Sequence, residues 1–167
     1  MRARDEAEIV ACMPGLRRYA RGLTGDRDRA DDLVQDTLER AWARFSLWQR
    51  RGDLRAWLFG IMHNHFIDRL RAQRSRPQDA AGGEIAELPQ RAMQADRLEL
   101  RDLDRSLQRL PAEQREVLLL VGVEELSYRE VALALGVPIG TVMSRPRIEL
   151  QGREGIEPAV AKMQLVK

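Results

Sequence analysis

The chain has 167 residues, 44% hydrophobic and 32% charged, with a formal net charge of +2. That mix suits a globular fold, and the length suits one ordinary domain or two small helical ones. No run of about 18 apolar residues is present to span a membrane, so no direct membrane insertion is expected. The opening stretch, MRARDEAEIVACMPGL, carries three acids and no apolar segment, which does not fit a signal peptide. The one cysteine, Cys12, can neither close an internal disulfide nor build a metal cluster. A cytoplasmic location follows as the expectation.

The net charge is informative only when divided. Residues 1–76 hold 16 basic and 11 acidic side chains, residues 77–110 hold 5 and 7, and residues 111–167 hold 7 and 8. Asp26 to Glu39 contains six acids against two arginines, whereas Arg50 to Arg76 contains seven arginines against two acids. An acidic segment followed by a basic one suggests two partners, the second polyanionic.

The elements read as helices in chain order. Arg4 to Leu23 predicts a weak first helix that Pro14-Gly15 interrupts or bends. Gly25-Asp26 breaks the chain before a second, in which Ala30, Leu33, Val34, Leu38, Ala41, Trp42 and Phe45 mark a buried stripe at steps of three and four. A third, from about Leu54 to Ala72, turns Leu58, Ile61, Met62, Phe66 and Leu70 inward. The stretch SRPQDAAGGEIAELPQ then has linker composition. Beyond it, Asp96–Arg109 predicts a helix, and Pro111 is placed to start another. No stretch alternates with period two. The expected fold is all-α, as two small helical domains joined by a flexible linker: 1–75, a linker over 76–95, 96–150, and a divergent tail over 151–167.

The segment LSYREVALALGVPIGTVMSR carries the most chemistry. Ser127 and Glu130 have capping-box spacing, Gly136 is placed to end the helix in a left-handed turn, Val137 plugs the angle, and Pro138 begins the next helix. A glycine between two helices on its own fits an αα-corner without a DNA role. Together with the capping box, the proline and the Thr141, Ser144 and Arg145 face, it favours a helix-turn-helix whose second helix enters the major groove.

These residues carry a resemblance. LPAEQREVLLLVGVEELSYREVALALGVPIGTVMSR resembles region four, the DNA-binding domain, of the extracytoplasmic-function group of bacterial sigma factors. ADDLVQDTLERAWARF resembles region 2.2 of the same group, and LRAWLFGIMHNHFIDRLR resembles regions 2.3 and 2.4. The resemblance covers roughly Leu16 to Arg145 and implies a sigma factor: a protein that steers RNA polymerase core to promoters, assists melting of the −10 element, and is not an enzyme.

It also implies sites. Asp31, Asp32, Gln35, Asp36 and Arg40 match the helix that binds the clamp of the polymerase's largest subunit. Asn64, Asp68 and Arg71, at steps of four and three, share a face of the helix that reads the −10 element, and Arg69, Arg74 and Arg76 add phosphate-binding charge. The Gln49–Asp53 turn, with Arg51 and Asp53, matches a loop that captures an unstacked base. Trp57 fits either that loop's aromatic or a core position. Tyr128, Arg129, Thr141, Ser144, Arg145 and Arg147 fall on the −35 surface. An anti-sigma factor is implied as a further partner. No cofactor, metal or small-molecule substrate is.

One feature departs from the family pattern. Pro146 stands where the recognition helix would continue, and an interior proline costs about 3 kcal/mol. A short recognition helix and weakened −35 contacts are therefore expected. The tail is open to three readings: a divergent extension, a docking segment or an altered reading frame. The rival functions are a sigma-like decoy that binds an anti-sigma factor and a stand-alone helix-turn-helix regulator. His63-Asn64-His65 does not suit a metal site, because adjacent helical residues point about 100° apart.

Overall fold

A computed structural model describes residues 3–48, 52–75 and 105–150, of which 3, 4, 47 and 146–150 are described through their backbone only. The predicted linker, the start of the helix at Asp96, the tail after Leu150, Arg51 and Arg76, and the side chain of Arg147 lie outside the described residues. Every regular element among the described residues is helical.

Helix α1 (Ala3–Thr24) has Asp5 and Glu6 in its first turn and Arg21 in its last, charges that complement the helix dipole. It runs unbroken through Pro14, contrary to the predicted interruption. Proline's fixed φ is itself helical, so Pro14 withdraws one amide. Buried Ile9 on one side and Leu16, Tyr19, Ala20 and Leu23 on the other hold the helix in place. Gly25 turns the chain at φ +66°, and Asp26 caps α2 (Arg27–Arg44) by accepting the Arg29 amide at 2.8 Å.

In α2 the expected stripe buries Ala30, Leu33, Val34 and Ala41, but Trp42 is 52% exposed. Thr37 is buried as well, its hydroxyl donating back to the Leu33 carbonyl at 2.6 Å. A 3₁₀ turn, Phe45–Leu47, follows.

Helix α3 (Leu54–Ser75) buries Leu58, Ile61, Met62 and Phe66 as expected, while Leu70 is only partly covered. It also buries Ala56, Phe59 and His65, more than one face, because a second layer packs on it. That layer is the C-terminal half. Residues 105–108 make a helical turn, then α4 (Ala112–Leu118) starts after Pro111 and widens into a π-turn, Leu119–Val123. Helices α5 (Tyr128–Leu135) and α6 (Ile139–Leu150) complete the chain. Buried side chains of both halves form one continuous apolar cluster, with α5 lying on α3.

Helix α6 continues past Pro146 to Leu150, which corrects the expected short recognition helix. The ring removes the single amide that would reach the Val142 carbonyl, and Val142, fully buried, anchors the turn before it.

Candidate nucleic-acid interface

The helix-turn-helix is built as its sequence demands. The Ser127 hydroxyl accepts the Glu130 amide at 3.3 Å, and the Glu130 carboxylate accepts the Ser127 amide at 2.7 Å. The same carboxylate accepts the Ser127 hydroxyl, and these bonds hold its pKa below the usual carboxylate range. Gly136 closes α5 in the left-handed region at φ 64°, which a side chain adopts only with strain. Val131, Leu135 and Val142 are buried beneath the corner.

Of the predicted −35 residues, Tyr128, Arg129 and Ser144 are exposed, and Thr141 is half-buried. Arg145 reaches back to Glu113 of α4 at 3.2 Å, leaving its side chain 17% exposed. Arg145 is therefore held by an acid of α4.

On α3, Asn64, Asp68, Arg71 and Arg74 are exposed together, and Arg69 is half-buried. Asp53 is exposed and accepts the Arg55 amide at 2.7 Å, so it also fixes the start of α3. Trp57 is partly buried, its ring 5.8 Å from Trp48 and 6.3 Å from Phe45, a cluster that braces the 3₁₀ turn against α3. The adjacent histidines diverge: His63 Nδ1 meets Glu116 at 2.6 Å, and His65 Nε2 meets Asp36 at 2.7 Å.

The acidic face of α2 leaves Asp31, Asp32 and Gln35 exposed, with Gln35 donating to Glu39 at 3.0 Å. Asp36 and Arg40 are only half-exposed. Between α1 and α2 runs an open groove of about 760 Å³, with Arg17, Arg21 and Arg27 facing Asp31, Gln35 and Glu39, and Met13, Val34 and Leu38 between. Trp42 stands exposed farther along α2, an apolar group that helical periodicity had placed in the core.

Sequence reasoning missed the contacts between the halves. Glu124, wholly buried, accepts Arg18 Nε at 3.0 Å, Arg18 Nη2 at 3.1 Å and Arg55 Nη2 at 2.5 Å. Glu116, also wholly buried, takes His63. Beside Glu116, burial and then its charge push the Tyr19 phenol well above its usual range. Arg115, buried, donates to the carbonyls of Leu23, Leu107, Gln108 and Leu110, so one guanidinium staples the end of α1 to the C-terminal half. The available signal was the pair Gly15 and Gly22, seven apart on α1. A Cβ at Gly15 would lie 2.6 Å from Glu124, and one at Gly22 would lie 2.6 Å from Leu119.

The chain's similarities bear on both halves. Residues 9–63 match the family described as the sigma2 domain of PhyR, and residues 100–145 match sigma-70, region 4. The protein described as ECF RNA polymerase sigma factor EcfG from Rhodopseudomonas palustris is 41% identical over 83% of this chain and 76% of its own length. Among solved structures, the sigma factor RpoE in complex with the anti-sigma factor NepR, from Bartonella quintana, superposes with a TM-score of 0.75 at 33% identity, covering 97% of each chain. CnrH in complex with the cytosolic domain of CnrY gives a TM-score of 0.64 at 29% identity, over 87% of this chain and 82% of that one. With a capped helix-turn-helix at one end and an acidic helix beside a basic one at the other, the chain belongs to the extracytoplasmic-function RNA polymerase sigma factors.

Proposed function

We propose that this sigma factor delivers core polymerase, in the cytoplasm, to a two-element promoter and assists melting of the −10 element, with no catalysis of its own. The carrying observation is the separation of two exposed surfaces by charge, acidic on α2 and basic along the end of α3. In this reading residues 1–75 form the region 2 domain, 76–95 the linker and 96–150 region 4. Asp31, Asp32, Gln35, Asp36 and Arg40 contact the clamp of the largest subunit, where charged rims set orientation and encounter rate. Asn64 reads a base edge of the −10 element, and Arg69, Arg71 and Arg74 hold phosphates. Thr141, Ser144 and Arg145 face the −35 element, with Tyr128 and Arg129 on the flanking backbone.

An anti-sigma factor is the regulator in this reading, supported by the similar structure of RpoE, which is a complex with the anti-sigma factor NepR. Run-off transcription with purified core polymerase on a promoter library, with and without this protein, tests the proposal. Discrete transcripts that depend on the protein are expected. Core binding without transcripts would favour a decoy. A recognition helix cut at Pro146 would also favour a decoy, whereas α6 runs on to Leu150.

A further inference from the structure

A pocket of about 360 Å³ lies where the end of α1, the start of α2 and the end of α3 meet α4 and the turn before it. Arg29, Arg69, Arg74 and Arg115 line it, and among the described residues no acid does. Leu33, Phe66 and Leu70 supply its apolar side. The one-sided charge is written into the helices. Arg29 lies four residues before Leu33 on α2, so the cation and the leucine share a face. On α3, Arg69 and Arg74 bracket Leu70 and Gln73. This is not the side of α3 that carries the −10 reading: Gln73, nine residues beyond Asn64, points about 180° away from it.

The four cations are not equivalent. Arg115 is buried, and its donors go to the carbonyls of Leu23, Leu107, Gln108 and Leu110 and to the Gln108 amide oxygen. It serves as wall. Thr24 likewise turns its hydroxyl to backbone carbonyls. The guanidinium groups of Arg29, Arg69 and Arg74, by contrast, bond to no described residue. Three like charges around one concavity repel each other until an anion joins them. A cleft lined by one sign of charge, with apolar walls, focuses its field on such a ligand.

The chemistry of the lining narrows the ligand. A guanidinium fork meets phosphoryl oxygens in pairs, which makes arginine the residue of choice for phosphate. The volume exceeds what a bare ion needs and falls in the range of small-molecule sites, about 300–1,000 Å³. A DNA backbone offers phosphates along a surface but little apolar bulk to set into a concavity. We propose that this pocket binds a small organic phosphate, its phosphoryl group held by Arg29, Arg69 and Arg74 and its apolar body set against Leu33, Phe66 and Leu70. On the reading of Arg69 and Arg74 as −10 phosphate holders, a ligand seated there opposes −10 binding.

Calorimetric titration of the full chain at low ionic strength, with phenyl phosphate and with inorganic phosphate, tests the site. Phenyl phosphate should bind about tenfold more tightly, because its ring buries apolar area that inorganic phosphate lacks. R29Q changes an exposed side chain and should weaken phenyl phosphate by about tenfold. R71Q, on the other side of α3, should leave it within about twofold of the parent. L70S should abolish the advantage of the ring and leave inorganic phosphate as in the parent. Circular dichroism checks the helix content of each variant, and R29Q decides alone if L70S unfolds. No binding of phenyl phosphate overturns the proposal, and so does equal affinity for the two probes. Equal weakening by R29Q and R71Q overturns it as well, since that marks general attraction to a basic surface. Loss of short-duplex binding in R29Q, without any binding of phenyl phosphate, would give the pocket to the DNA backbone instead. The phosphate titrations contain no polymerase. Their failure leaves the sigma reading intact, and a silent run-off assay leaves the pocket intact.

Discussion

His65 Nε2 and Asp36 Oδ2 lie 2.7 Å apart, so a residue of the acidic α2 face is tied to the helix behind it. The imidazole is 9% exposed and the carboxylate 42% exposed. Asp36 therefore differs from its neighbours Asp32 and Gln35, which face solvent. The D32A/Q35A double variant should lose core polymerase affinity by about tenfold or more at unchanged melting temperature. D36A should lose affinity and also about 0.5–1 kcal/mol of stability, because the pair is half-exposed. Core-binding titrations alongside thermal melts separate the two effects; unaltered affinity in D32A/Q35A would remove the clamp assignment.

Asn64 stands exposed on α3 while His63, next to it, is engaged with Glu116. Asn64→Ala should cost about 1–3 kcal/mol of discrimination at one −10 position, with core affinity intact. Competition between promoter variants measures it. Equal loss against every sequence would reassign Asn64 to backbone contact.

The capping box makes Ser127→Ala a graded test of the helix-turn-helix, with an expected loss of about 1 kcal/mol. The same cluster responds to acid. Because the folded Glu130 carboxyl is held below its ordinary range by Ser127, its contribution is present above the unfolded pKa and fades as pH falls through the folded one. The stability gap between parent and S127A should therefore narrow in acid, below the ordinary carboxylate range. A gap that is constant down to the acid transition would argue against this cap.

Pro146 interrupts no helix, yet it still withholds one amide bond. Pro146→Leu should raise stability by up to about 3 kcal/mol. Its effect on −35 affinity should be small, since the helix already extends beyond it. A large gain in promoter binding without a gain in melting temperature would show that the proline acts on DNA contacts instead.

Gly22→Ala would set a Cβ 2.6 Å from both methyls of Leu119, a side chain only 3% exposed. A loss of about 1–3 kcal/mol is expected from the forced repacking. No loss would mean that the halves do not pack this closely in solution.

Much of this was legible in the sequence because it is local. Capping, turn glycines and three-to-four periodicity fixed α2, α3 and the helix-turn-helix through contacts a few residues apart. The exceptions at Pro14 and Pro146 share a cause: the proline's cost of about 3 kcal/mol is offset by apolar anchors such as Leu16 and Val142. Trp42 was misplaced because periodicity marks a stripe without showing where its covering layer ends. The joint between the halves was hidden because its information is non-local: Arg18, Arg55 and Glu124 are ordinary surface types until the fold brings them together. The site residues read from the resemblance are exposed for the most part, which is why composition and spacing alone could not assign them.

The span between Glu124 and its cations also has a consequence in time. Arg55 and Glu124 are 69 residues apart, and Arg18 and Glu124 are 106 apart. At ribosomal speeds of about 5–20 residues per second, roughly 3 to 14 s separate the synthesis of Arg55 from that of Glu124. During that interval α1, α2 and α3 can assemble while the acid that neutralises their arginines has yet to be made. The newborn N-terminal half thus meets the crowded cell as an open, positively charged body, and closure is among the last events of its birth.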